Sequence, residues 1–153
     1  MRIAVLILSV VMLAGCETPN PSTPSSPRGP GPARPKQQPT PSHTLSPATR
    51  ALVSQAQKQS AAGEYATAAA TMERALRIEP ENPLLWIELG KVRQAEHNYA
   101  QADAMARKAL VVAGGDTRAQ SAAWKLIAES LRARGRTAEA REAQERASRP
   151  TTR

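Results

Sequence analysis

"WIELGKVRQAEHNYAQADAMARKAL", Trp86 to Leu110, decides the fold. An aromatic opens it, a Leu89–Gly90 pair follows, and a second aromatic at Tyr99 comes after a polar break around His97 and Asn98. Small residues at Ala102 and Ala109 close it. Shifted back by 34, this stretch falls on its own predecessor: Trp86 on Leu52, His97 on Gly63, Tyr99 on Tyr65, Ala102 on Ala68, Ala109 on Ala75 and Leu110 on Leu76. Shifted forward by 38, Trp86 falls on Trp124, Tyr99 on Thr137, Ala102 on Ala140 and Ala109 on Ala147. Self-similarity at a period of this size marks a stack of supersecondary units, none of which buries its apolar face alone.

The residue types and the period together resemble the tetratricopeptide repeat, a helix–turn–helix unit with an aromatic near its start, small residues where its helices cross, and a proline near its end. "GEYATAAATMERALRIEP", Gly63 to Pro80, supplies the second half of a preceding copy with its closing Pro80. "WKLIAESLRARGRTAEAREAQERA", Trp124 to Ala147, is a weaker third copy in which Ala128 replaces the glycine. The resemblance implies an all-α fold: a short solenoid of about three repeats, near the minimum for a stable stack.

Helix limits follow from local chemistry. Ser46–Pro47 and Asn82–Pro83 each place a capping side chain before a proline at the first helical position. Gly63 and Gly135 mark the turns within repeats. The four extra residues of the longer spacing fall near Gly114–Thr117, and four residues are about one helical turn. The fifth helix is therefore expected to start one turn early, capped by Asp116. Expected helices span 47–62, 65–79, 83–96, 99–113, 117–134 and 137–148, grouped as repeats 49–82, 83–120 and 121–148 within a domain of residues 47–148, with 149–153 a flexible tail.

Upstream, the chain changes character. Met1 and Arg2 precede an eleven-residue apolar run, Ile3 to Leu13, too short to cross a bilayer and right for the apolar core of a signal peptide. Leu13-Ala14-Gly15-Cys16 resembles a bacterial lipobox, which implies cleavage after residue 15 and lipidation of Cys16, the one cysteine of the chain. A single acyl chain holds a protein only marginally, whereas two or more anchor it. Glu17 stands where an aspartate commonly retains such lipoproteins in the inner membrane, so the outer membrane, facing the periplasm, is the expected address. From Glu17 to Pro47, ten of 31 residues are proline and Leu45 is the only large apolar side chain, so residues 16–46 are expected to form an unfolded spacer. Stiffened toward polyproline II, its contour is about 90 Å.

Composition and charge exclude several functions. With Cys16 lipidated, His43 in the spacer and His97 in a turn, no nucleophile–base pair or three-ligand metal set assembles. Glu88 and Glu96 resemble an acid/base pair only superficially, since exposed helical glutamates are usually solvated. All four aromatics occupy repeat positions, which leaves none for stacking on bases or sugars. No enzyme, cofactor, metal, nucleic acid or small-molecule substrate is expected. The net charge of +8 is uneven: residues 49–82 and 83–116 each balance four basic against four acidic side chains, while 117–153 carry nine basic and four acidic. Arg132, Arg134 and Arg136 concentrate that excess around the last turn.

Tetratricopeptide repeats commonly bind partners on the concave surface made by the first helix of each pair. Carried onto this sequence, that lining is Val53, Gln57, Ser60, Leu84, Ile87, Lys91, Gln94, Lys125, Glu129 and Arg132. It lacks the lysine/asparagine arrangement that clamps a free carboxyl terminus, and it suits a short helix or extended segment with apolar anchors and an acidic flank. Anchor, tether and minimal repeat domain together resemble the Lpo-type outer-membrane lipoproteins that activate class A penicillin-binding proteins. The resemblance implies a periplasmic protein partner, a bifunctional peptidoglycan synthase, reached across the periplasm from a lipid anchor. Two alternatives stay open: a repeat-containing pilotin for a secretin or pilus channel, and a scaffold that recruits peptidoglycan hydrolases.

Overall fold

A computed structural model describes residues 42–149. Cys16 and the proline-rich stretch up to residue 41 lie outside the described residues. Six helices follow in order: α1 (Pro47–Ala61), α2 (Tyr65–Ile78), α3 (Pro83–Ala95), α4 (Tyr99–Val112), α5 (Thr117–Ala133) and α6 (Thr137–Ser148). The described residues contain no strand, and none of their helices is long and apolar enough to cross a membrane.

The expected punctuation sets the helix limits. Pro47 and Pro83 stand in the first turns of α1 and α3, and the caps Ser46 and Asn82 accept from the amides of Thr49 and Leu84. Asp116 caps α5, accepting from Ala119 N–H at 2.9 Å. With 17 residues against 13 in α3, α5 carries the additional turn. Gly63, His97 and Gly135, equivalent by the repeat shifts, all have positive φ, at 80°, 62° and 76°. The turn within each repeat thus has one backbone shape, and only the middle one reaches it without glycine.

The six helices form three pairs, α1–α2, α3–α4 and α5–α6, and each second helix also packs on the first helix of the next pair. First helices touch their successors, α1 to α3 and α3 to α5, whereas among the described residues α2 does not meet α4 and α4 does not meet α6. That asymmetry lines up the first helices as one continuous face and opens clefts between the second ones.

Alanines make the close crossings. Ala68, Ala75, Ala102, Ala109, Ala119 and Ala128 are fully buried. Around them lie two apolar clusters, one with Val53, Met72, Leu85 and Val92, the other with Leu126, Ile127 and Leu131. Trp86 packs against both and joins them. Gly90 marks a close approach: a Cβ there would lie 2.7 Å from Leu126 Cδ2 and 3.3 Å from the Ala102 carbonyl.

The candidate partner face and the N-terminal arm

The first-helix face contains most, not all, of the residues expected on it. Gln57, Lys91, Lys125, Glu129 and Arg132 are exposed, and Ser60, Leu84 and Gln94 are half-buried. Val53 and Ile87 are corrections: at 7% and 3% exposure they belong to the core clusters. Their helix face is shared between surface and core, and they pack in clusters with the second helix of their own pair and the first helix of the next.

Neighbouring first helices lie close enough for their side chains to bond across the face. Gln57 Nε2 on α1 donates to Glu88 Oε2 on α3 at 3.0 Å, and Lys91 Nζ meets Glu88 Oε1 at 2.6 Å. Gln94 Nε2 on α3 donates to Glu129 Oε2 on α5 at 3.1 Å. Beside the first of these links a groove of about 370 Å³ opens, lined by Gln57, Ser60, Glu88, Lys91 and Val92 among others. Exposed polar links of this kind contribute little to stability, typically below about 1 kcal/mol, so breaking them costs little. Glu88 and Glu96 have separate partners, Glu96 bonding Arg93 at 2.9 Å, and do not act as a pair.

Beyond this face, Arg132, Arg134 and Arg136 are all exposed around the α5–α6 turn. Arg136 pairs with Glu139, whereas Arg132 and Arg134 make no ion pair among the described residues. The cationic end expected from the charge count is thus presented to solvent, adjoining the first-helix face through Arg132.

The segment just before α1 holds what local reasoning missed. His43, expected within the unfolded spacer, is held instead on the repeat domain. Its backbone N–H donates to Asp116 Oδ2 at 2.7 Å, and its ring Nδ1 lies 3.0 Å from the same oxygen. The carbonyl of Thr44 accepts from Asn82 Nδ2 at 3.0 Å, and Ser46 N–H donates to Glu79 Oε1 at 3.2 Å. Residues 43–46 therefore reach the cap of every first helix: Ser46 of α1, Asn82 of α3 and Asp116 of α5.

Two carboxylates are tuned by this arm. Hydrogen bonding from Ser46, helped by Thr49 and Asn82, outweighs burial and holds Glu79 down at about 2. Burial pushes Asp116 up, but the hydrogen bonds from Ala119 and His43 prevail and leave it below the usual aspartate range. No sequence signal announces the contacts of His43, Ser46 and Thr49, because these partners lie 73, 33 and 30 residues from the carboxylates they bond.

Comparison with known proteins agrees with this geometry. The Tetratricopeptide repeat family profile matches residues 60–125. The globular C-terminal domain of Pseudomonas aeruginosa LpoP superposes with a TM-score of 0.66 at 36% identity, over 69% of this chain and 100% of that one. The Sgt2 TPR domain from Aspergillus fumigatus superposes with a TM-score of 0.60 at 25% identity, over 68% of this chain and 66% of that one. No functionally curated protein matches the chain. With the whole LpoP domain spanned at 36% identity, the chain belongs to the tetratricopeptide-repeat family that includes the LpoP globular domain, and its helical part is a protein-interaction module.

Proposed function

We propose that this chain is an outer-membrane-anchored periplasmic lipoprotein whose repeat domain activates a peptidoglycan synthase of the class A penicillin-binding protein type. The observation that carries the proposal is the 36% identity to the LpoP globular domain along that domain's full length. The amino-terminal sequence supports it: a lipobox-like Leu13–Cys16 supplies the anchor, and a stretch of ten prolines in 31 residues supplies reach.

The partner meets the first-helix face. Gln57 and Gln94 exchange their links between helices, and Lys91 its link to Glu88, for groups of the synthase, and the exposed Arg132 attracts an acidic flank. Activation is a population shift. The domain favours the synthase's active state by as much as it binds that state better than the inactive one, and by no more.

The test is the glycosyltransferase rate of the cognate synthase with and without the protein. Acceleration that disappears in Lys91→Glu/Arg132→Glu supports the proposal; no acceleration and no binding overturn it. Separately, Cys16→Ser is expected to move the protein from the membrane to the soluble fraction with its helicity unchanged. Continued membrane association of that variant would refute the lipid anchor.

A further inference from the structure

Helix α3 has two opposed faces. Leu84, Lys91 and Gln94 belong to the partner face just described, whereas Trp86, Leu89 and Arg93 follow one another at spacings of three and four and point the other way. On that second side α2, α3 and α4 leave a groove of about 400 Å³, at the lower end of the range for ligand sites. Its floor is apolar: Leu76 and Leu89 are buried, and Trp86 and Met105 half-buried. The indole N–H of Trp86 is already taken by the Pro80 carbonyl at 2.8 Å, so the ring offers apolar surface.

The rim is mainly cationic. Arg77 lines the groove one turn from Glu73 on α2, Arg93 lines it from α3, and Lys108 Nζ lies 5.8 Å from the centre of the Trp86 ring. Arg93 is shared with Glu96 at 2.9 Å and, more distantly, with Glu73 at 3.9 Å. Arg77 is exposed and makes no ion pair among the described residues. Next to it Ile78 is 54% exposed, one of two large apolar side chains left so open in the described residues.

The molecule contains its own control. One repeat later, Trp124, Ile127, Leu131 and Ala143 replace Trp86, Leu89, Arg93 and Met105. The corresponding groove has shrunk to about 160 Å³, Arg146 lies 4.9 Å over Trp124, and Glu139 and Glu142 sit on its edge. The same architecture thus exists in a wider form and in a narrow one, where Arg107 and Arg146 already stand beside the two carboxylates.

We propose that the α2–α3–α4 groove is a second docking surface, which takes a large apolar side chain flanked by carboxylates on a segment of a partner protein. An apolar floor beneath Arg77, Arg93 and Lys108 complements such a segment in both respects. The chain's own proline-rich stretch fits poorly, since Arg28, Arg34 and Lys36 outnumber its single acid, Glu17. Because this surface and the first-helix face lie on opposite sides of α3, both are open to partners at once.

The test is a titration of the isotope-labelled full chain, carrying Cys16→Ser, with the synthetic peptide acetyl-EELLEE-amide. Trp86 and Trp124 are the only tryptophans, and their indole signals report separately on the two grooves. The proposal expects saturable shifts at Trp86 and Met105, no response at Trp124, and no binding of acetyl-KKLLKK-amide. Arg77→Glu, on an exposed helix position, should weaken binding about fivefold or more while leaving thermal stability unchanged. No shift with millimolar peptide overturns the proposal, as does an equal response to the basic peptide or one confined to Lys91 and its neighbours. Trp86 shifts that depend on protein concentration without peptide would assign the groove to a second copy and equally overturn it. No synthase is present, so the result is independent of the proposed activation.

Discussion

His43 and Asp116 are 73 positions apart, yet one carboxylate oxygen of Asp116 receives both the backbone amide and the ring of His43. The other oxygen of Asp116 caps α5 through Ala119. A single buried side chain therefore starts the last repeat and holds the residues that precede the first. The arm works as a clasp along the first-helix termini, and among the described residues the packed domain includes His43.

Asp116→Ala removes both functions. It is expected to destabilise the domain by about 2 kcal/mol, combining a lost cap with a released arm. Asp116→Asn, which keeps a cap acceptor, should lose less. Denaturant unfolding checks the ranking, and amide exchange should rise at Ala119 and His43 together in the alanine variant. Independent behaviour of the two amides would contradict the shared contact.

Glu79 predicts the acid limit. Its folded-state value of about 2 lies below the ordinary 4.5, so its stabilisation is fully present above about 4.5 and is lost as pH falls toward 2. Asp116, also lowered, acts in the same direction. The melting temperature of the natural chain should fall across that window. In Glu79→Gln, which keeps only part of the bonding to Ser46, Thr49 and Asn82, the fall should be shallower and start from a lower plateau.

Gly90→Ala tests the close crossing of three helices. Alanine normally improves a helix interior by about 0.5–1 kcal/mol over glycine. Here the added methyl would meet Leu126 at 2.7 Å and the Ala102 carbonyl at 3.3 Å, and overpacking of this kind costs about 1–3 kcal/mol. Net destabilisation of about 1 kcal/mol is expected in chemical denaturation, with an unchanged dependence on denaturant.

His97→Gly should act the other way. His97 holds φ at 62° where its repeat equivalents are glycines, and the bond it makes, to the Tyr99 hydroxyl at 2.8 Å, is exposed. Relief of the left-handed conformation should exceed the loss of that bond and raise stability by about 0.5 kcal/mol, a rise of a few degrees in melting temperature. A lower melting temperature would assign the greater weight to the His97–Tyr99 contact, which is also an edge-on ring contact at 5.9 Å.

What the sequence by itself determined was everything that a few neighbouring residues settle. Ser46–Pro47, Asn82–Pro83 and Asp116 start helices, Gly63 and Gly135 shape turns, and the repeat of aromatics and alanines marks which helices cross. Caps and backbone angles act within one turn, so their outcome is written in adjacent letters. Only the tertiary structure decided which side of each helix stays open. Val53 and Ile87 lie one turn before Gln57 and Lys91 on the same helices, yet they are buried in clusters formed with neighbouring helices. Likewise, nothing near His43 distinguishes it from the spacer, and nothing near Trp86 reveals that its groove is open while that of Trp124 is filled. These outcomes depend on groups carried by other helices, up to 73 residues away, brought within bonding or packing distance, a relation among helices that no local pattern encodes.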